Sequence, residues 1–487
     1  MTTYIIAALA GYVAIGHSLV LKHASTAAAY SSNSNGTYTL SSVPAPVRGN
    51  ISHASMRAWQ LSIDDTPSGH KQTITGFGAA VTDATVASFN TLPFRTRLQL
   101  LDELMTPFGA DFSLMRHTIG ASDLSGNPAY TYDDNGGIED KLLLNFNLGE
   151  RGLAMALMLA TMKSLQPNMK ILGSSWSPPG WMKSDNAIDG TTTNNNLDDG
   201  YFGGKTSGHS NQFADYFVKY ILAYEILGAN IDAITIQNEP LNSQAGYPTM
   251  HMLASEQAHL IQNYVGPALA NAGLKTKIWA HDDNTNVPSY PQTVLDNAGQ
   301  YVDTVAWHCY ATDLDWHDLT DFYHNNTGIT QYMTECWTPA SESWNHAARF
   351  TMGPLHNWAS GVIAWTLGTN ADNGPYLSSG GCDKCQGLVT VNNDGTYTLN
   401  MAYYMMAQFS KFIPPGAIIL QGTGSHTHYY GGVQSVASLN PDGTRTVVIE
   451  NTFSHDIYVT LNTNSREKWS GHVPAESVTT WVLPPAR

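Results

Sequence analysis

The stretch "ITIQNEPLN" carries Glu239 between an amide and a proline at the tip of an apolar strand, and "QYMTECW" places Glu335 at the end of another. Two carboxyl groups on facing strand ends can cleave a glycosidic bond: one protonates the leaving oxygen while the other attacks the anomeric carbon from the opposite side. A separation of about 5–5.5 Å gives retention through a covalent sugar ester, whereas wider spacing admits a water and gives inversion. In a chain with 39 acidic residues the pair alone says little, since either glutamate could cap a helix or pair with an arginine. Their neighbours sharpen the reading. Asn238 offers a hydrogen bond to a sugar hydroxyl, and His308 or Tyr310 could keep Glu335 ionised by donating to it. Trp176 in "SSWSPPGWMK" and Trp365 in "IAWTLGTN" offer flat faces to sugar C–H groups. The chemistry needs Glu239 protonated and Glu335 ionised. Burial and a nearby negative charge are expected to raise the first, and hydrogen-bond donors to hold the second low, giving a bell-shaped pH dependence with an acidic optimum.

Such residues need a frame that brings strand ends together. Short β-branched or apolar segments at 73–81, 112–118, 170–174, 232–236, 277–280, 304–307, 330–333 and 361–365 predict eight strands. Between them run stretches such as "NLGERGLAMALMLATMKSLQ" and "NQFADYFVKYILAYEILG", whose apolar spacing suits an amphipathic helix. Eight strand-then-helix units predict an α/β fold, a (β/α)8 TIM barrel with its catalytic face at the strand ends. A doubly wound open sheet is the rival, lowered by the lack of a G-x-G-x-x-G turn after the first strand. After Asn400, "GVQSVASLNPDGTRTVVIENTFSHDIYVTLN" reads as strands with a Pro-Asp-Gly turn and no helix, an appended antiparallel β-sandwich. The expected organisation is a signal peptide over 1–16, a flexible leader over 17–36, N-terminal strands joining the sandwich over 37–72, the barrel over 73–400 and the sandwich over 401–487.

The bulk properties agree. At 487 residues the chain exceeds what one core usually organises. With 42% hydrophobic and only 13% charged residues it is packed, and its net charge of −16 disfavours nucleic acid and anionic membrane surfaces while leaving neutral ligands acceptable. The apolar run from Tyr4 to Ile15 is short for a membrane span and reads as a secretory signal cut near Gly16, although no Lys or Arg precedes it. Sequons at Asn35, Asn50 and Asn325 fit secretion. Of the four cysteines, Cys382 and Cys385 in "SSGGCDKCQG" are expected to form a local disulfide, and Cys309 and Cys336 to be buried free thiols. No cofactor or metal is expected.

Seven stretches in register, "TGFGAAVTDAT", "LMRHTIGASDLS", "SSWSPPGWMK", "TIQNEPLN", "VAWHCY", "MTECW" and "IAWTLGTNADNGP", resemble glycoside hydrolase family 30, a family of retaining barrels that includes lysosomal glucocerebrosidase. They span the barrel from about Gly76 to Pro375, and the β tail resembles the family's attached sandwich. Within the family the resemblance is to secreted fungal endo-β-1,6-glucanases. It implies Glu239 as general acid/base, Glu335 as nucleophile, Asn238 at the sugar 2-hydroxyl and Tyr310 against the nucleophile. It further implies that Arg116, Asp123 and Trp176 shape the pocket for the non-reducing-side sugar, with Trp365 as its floor and a non-proline cis peptide after it. A structural Arg116–Asp123 ion pair is the plainer alternative. The implied partner is a neutral polysaccharide, a β-glucan, cut by a monomer. Xylan, β-1,6-galactan or glucosylceramide with the same chemistry, or a barrel that binds carbohydrate without cutting it, are the rivals. Loops such as "DNAIDGTTTNNNLDDGYFGGKTSGHS" set which sugar fits.

Overall fold

The computed structural model describes residues 26–49, 58–201, 208–242, 246–422, 425–428 and 431–487. The expected signal peptide and the sequon at Asn50 lie outside these residues. The chain forms two compact units, one over Gln72–Lys411 and the other from the two chain ends, up to Lys71 and from Phe412 onward.

The first unit is a closed barrel of eight parallel strands in sequence order. They are β1 (Gly76–Val81), β2 (Leu114–Ile119), β3 (Lys170–Ser175), β4 (Ala233–Thr235), β5 (Lys277–Asn284), β6 (Val302–His308), β7 (Thr330–Glu335) and β8 (Ala359–Ala364). Each predicted strand is present, and β8 closes on β1 through Gly361 opposite Gly76. Helices follow each strand on the outside. The two sequence-predicted amphipathic stretches are the helices Gly149–Leu165 and Ser210–Ile226. Inside, Leu114, Leu172, Ala233, Trp279, Ala306, Tyr332 and Ile363, from seven successive strands, pack together, with Trp279 stacked on Tyr332 at 4.2 Å. The barrel is therefore filled, and only its strand ends are open to ligand. Gly78 lets β1 and β2 approach: a Cβ there would lie 2.0 Å from the Leu114 carbonyl oxygen.

Two boundaries differ from expectation. Residues 401–410, assigned to the sandwich, form a helix, Met401–Ser410, which supplies the eighth barrel helix. Its "MAYYMMAQF" buries Tyr403, Met405, Met406 and Phe409, a helical spacing masked by the β-rich sequence after it. The leader placed over 17–36 contains a strand, Ala28–Asn33, paired along its length with Ser477–Leu483. Its small polar residues look loop-like alone, but the partner strand takes up its backbone groups, and Ser31 and Ser32 are fully buried.

In the second unit one sheet runs Ser41–Val43, Ala28–Asn33, Ser477–Leu483, Arg445–Asn451, Gly431–Leu439, Ile418–Leu420, and the other Val47–Arg48, Lys468–Val473, Ile457–Thr463, Trp59–Ile63. The pairing is antiparallel except between Trp59–Ile63 and Ile457–Thr463. Alternate residues from both sheets, among them Leu61, Val447, Ile449, Val459, Leu461 and Trp481, make the core. Among the described residues no helix is long and apolar enough to cross a membrane.

The cysteine expectation holds for one pair and fails for the other. Cys382 and Cys385 are disulfide-bonded, as expected. Cys309 and Cys336 are bonded too, rather than free. The reason is register: His308 of β6 stands opposite Glu335 of β7, so the next residue on each strand falls side by side, with Cα atoms 5.4 Å apart.

Candidate active site

The fourth strand is short because its end is rerouted. After Thr235 the chain keeps contact with β3 through the Asn238 amide and the Ser175 carbonyl (2.7 Å), then crosses to β5, where the Glu239 amide donates to the Asp282 carbonyl (2.9 Å). Glu239 adopts a left-handed backbone, φ 45°, as do His281 (77°) and Asp282 (68°) on the facing strand. Non-glycine residues in this region are strained by about 1–3 kcal/mol each and persist where surrounding bonds impose them. Here the Gln257 side chain accepts from the His281 amide at 3.1 Å, and β5 shifts register between His281 and Asp283. This bulge extends β5 four residues past its predicted end and turns the Asp282 side chain to the barrel axis.

Glu335 ends β7, and the chain after it is bonded to the end of β8: the Trp365 amide donates to the Cys336 carbonyl (2.6 Å) and the Thr338 amide to the Trp365 carbonyl (3.1 Å). The peptide after Trp365 is cis. Carboxylate oxygens of Glu239 and Glu335 come within 4.8 Å of each other. That separation belongs to the retaining geometry, since an inverting pair stands about 6.5–9.5 Å apart.

Above the pair lies a cleft of about 590 Å³. Of the residues singled out from sequence, Asp123, Glu239, Tyr310, Glu335 and Trp365 line it, while Arg116, Trp176, Asn238 and His308 stand behind that wall. Trp176 does not offer a free face: it is 2% exposed, stacked on Trp365 at 5.3 Å, with the Arg116 guanidinium 4.8 Å over its ring. The Tyr310 hydroxyl donates to Glu335 at 2.9 Å. Arg116 donates to Glu335 (2.5 Å), Asn238 (2.6 Å) and Asp282 (2.9 Å), so its partner is not Asp123. His308 does not bond Glu335 but bridges Glu239 (Nδ1, 3.2 Å) and Asp282 (Nε2, 3.1 Å).

The placement of His308 reverses the expected charge bias of the glutamate pair. Burial pushes the Glu239 carboxyl up, but the bond and charge of His308, with the Asn242 amide at 2.8 Å, draw it below its usual value. Burial also pushes Glu335 up, and there it outweighs the opposing His308 and Arg116 charges. His308 itself would be lowered by burial, yet the Glu335 charge and its bonds to Asp282 and Glu239 push it up to about 10, so it is an imidazolium. Asp123 is pushed up to about 8 by burial and by the charges of Glu335 and Glu239, and is a neutral acid below that pH. Two cations thus face Asp282 and the glutamate pair, and of the two glutamates Glu335 is the readier to hold a proton. Asp283, pushed up to about 6 by burial and by the Glu239 charge, adds a further carboxylate beside Glu239.

Several residues here escaped sequence reasoning. Asp282, Asp283 and Asn284 follow the predicted end of strand five in "AHDDN", where an acidic pair at a barrel strand end was the available signal. Asn242, two residues past the Asn-Glu-Pro turn, holds both Glu239 and the Tyr247 hydroxyl. Trp337 and Cys385 add to the cleft wall.

The comparisons with known proteins agree with this geometry. The family model for the glycosyl hydrolase family 30 TIM-barrel domain matches residues 74–413, and that for the family's beta sandwich domain matches residues 418–481. The chain is 67% identical to the endo-1,6-beta-D-glucanase neg1 of Aspergillus fumigatus, covering 99% of both chains. It is 65% identical to the endo-1,6-beta-D-glucanase BGN16.3 of Trichoderma harzianum, covering 95% of this chain and 94% of that one. A solved endo-beta1,6-glucanase, BT3312, superposes with a TM-score of 0.80 at 27% identity, over 94% of this chain and 99% of that one. A closed barrel with paired strand-end glutamates, a β-sandwich from the chain termini and both domain matches lead to one assignment: the chain belongs to glycosyl hydrolase family 30.

Proposed function

We propose that the protein is a secreted, monomeric endo-β-1,6-glucanase that cleaves its glycan with retention. The observation that carries the chemistry is the pair of carboxylates within 4.8 Å across an open cleft; the linkage is supported by high identity over nearly the whole chain to proteins named for that activity.

In the first step a Glu335 oxygen forms a bond to the anomeric carbon as the bond to O6 of the departing glucan breaks, and Glu239 gives its proton to that oxygen. The product is a glycosyl ester on Glu335. In the second, the Glu239 carboxylate takes a proton from water, which attacks the same carbon and releases Glu335. Before the first step a proton must lie on Glu239. Moving it there from Glu335 leaves the net charge of the site unchanged, and the Arg116 and Tyr310 donors facing Glu335 stabilise the anion that results. Asn238, held by Arg116, is assigned to the 2-hydroxyl. Asp123, as a neutral acid that can donate as well as accept, is assigned to sugar hydroxyls on the non-reducing side. Trp365 is the floor, backed by Trp176.

The test offers linear β-1,6-glucan, β-1,6-galactan, xylan and glucosylceramide to the purified protein and to Glu335→Gln. A ladder of internal fragments from β-1,6-glucan alone, with the β-anomer formed first by NMR, supports the reading. Binding without cleavage, or cleavage of another substrate instead, overturns it, and an active Glu335→Gln overturns the nucleophile.

A further inference from the structure

Asp282 is the most heavily bonded side chain at the barrel mouth. Its carboxylate is fully buried and lies within hydrogen-bond distance of a donor from each of five strands: Arg116 Nη2 of β2 (2.9 Å), Ser174 Oγ of β3 (2.7 Å), Thr235 Oγ1 of β4 (2.6 Å), His308 Nε2 of β6 (3.1 Å) and Thr334 Oγ1 of β7 (2.7 Å). Its carbonyl accepts from the Glu239 amide. It is outside the cleft wall.

One carboxylate therefore reaches both reacting groups through charged intermediaries, Glu335 through Arg116 and Glu239 through His308. The His308 ring is the sensitive link. With an anion at each nitrogen, both nitrogens donate, which only the imidazolium can do. A neutral ring would leave one nitrogen lone pair pointing at a carboxylate.

We propose that Asp282 is a positioning residue that sets the protonation of the glutamate pair: added to the charge of Glu335, its own bond and charge keep His308 an imidazolium, and that imidazolium fixes the pH range in which Glu239 holds the proton and Glu335 does not. The groups facing His308 are Asp282 and Asp283 of β5, Glu239 after β4, Glu335 of β7, His281 of β5 and Tyr310 after β6, with Arg116 of β2 on the other side of the shared Asp282 carboxylate. Of these carboxylates, Asp282 is the one outside the cleft wall. Removing its charge releases the His308 proton, and both glutamates lose a neighbouring cation, so both rise. The proposal rests on the assignment of Glu239 and Glu335 above.

Asp282→Asn keeps the shape and removes the charge. Both limbs of the kcat/KM profile should then move to higher pH by about one unit or more, alongside a fall in kcat of about 10²-fold or greater. Asp282→Glu restores the charge and should bring the limbs back even where kcat stays low. Thr334→Val, which removes a donor but no charge, should leave the limbs in place. A fall in rate with unmoved limbs in Asp282→Asn makes the residue merely structural and overturns the proposal. Should that variant not fold, the wild type still decides: in protein labelled with ¹⁵N-histidine, and with His308 assigned by its loss in His308→Gln, both ring nitrogens should carry protons at pH 8. A neutral His308 at that pH overturns the proposal. The glutamate assignment is judged separately, by azide rescue of Glu239→Ala with inverted product for Glu335→Ala, so the two can fail independently.

Discussion

Each unit of this protein buries an arginine among carboxylates, and the two clusters differ in how far their charges are balanced. In the sandwich Arg445, 1% exposed, donates to Asp65 (2.6 Å), Glu467 (2.7 Å) and the Pro484 carbonyl (2.7 Å), while Arg48 adds a second cation to Glu467 at 2.6 Å. Two cations meet two anions, and burial, which would raise Glu467, is overcome by the Arg445, Arg48 and Trp469 donors, which hold it down to about 2. In the barrel Arg116 and His308 face Asp282, Glu239 and Glu335, with Asp283 beside Glu239, and all of these carboxylates but Asp282 border an open cleft. Carboxylates there outnumber the cations and burial pushes Glu335 up, so the cluster is poised to hold a proton beside a cleft, which is what acid–base catalysis uses. A balanced buried cluster serves architecture, and an excess of carboxylates beside a cleft suits proton transfer.

The comparison can be broken most directly at its two centres. Glu335→Gln should lower kcat by about 10⁴-fold or more, because nothing nearby can form the ester in its place, with the melting temperature unchanged or raised. Arg445→Met should do the opposite: it leaves the buried Asp65 without its cation and Glu467 with Arg48 alone, and should cost about 3–5 kcal/mol in urea unfolding, with kcat per folded molecule unchanged. An equal loss of activity in both variants would erase the distinction.

The pH dependences should separate in the same way. Glu467, lowered on folding from 4.5 to about 2, contributes stability that is present above about pH 4.5 and is lost as pH falls toward 2, which acid unfolding followed by circular dichroism would show. Activity should instead fail on the alkaline side: as pH rises through about 8 Asp123 ionises and places a further negative charge beside the pair, so kcat/KM should fall there without unfolding. The smallest effect expected is at the cleft rim, where Trp337→Ala should raise KM by about 10-fold and leave kcat within a few-fold, if its ring contributes stacking area alone.

The barrel was legible because eight apolar segments separated by helix-length stretches have few ways to fold, and parallel strands joined by helices close at that number. Glu239 and Glu335 were legible because each interrupts an apolar strand at its end. The helix Met401–Ser410 was hidden by its β-rich sequel, and the strand Ala28–Asn33 by a composition that looks like linker until its distant partner is known. Asp282 lay past the predicted end of its strand, since a bulge held by Gln257 from another element extends β5. The pairing of Cys309 with Cys336 required the register of two strands whose sequence neighbours give no hint of it.

The sequence by itself determined the number and order of the barrel strands, the family and the strand-end placement of Glu239 and Glu335, because periodicity and strand-end chemistry are local properties of the chain. The tertiary structure alone decided which carboxylate the imidazolium of His308 leans on and which anion Arg116 pairs with. These depend on distances of about 3 Å between residues far apart in the chain, and at that range electrostatic interactions change steeply with position in a buried site.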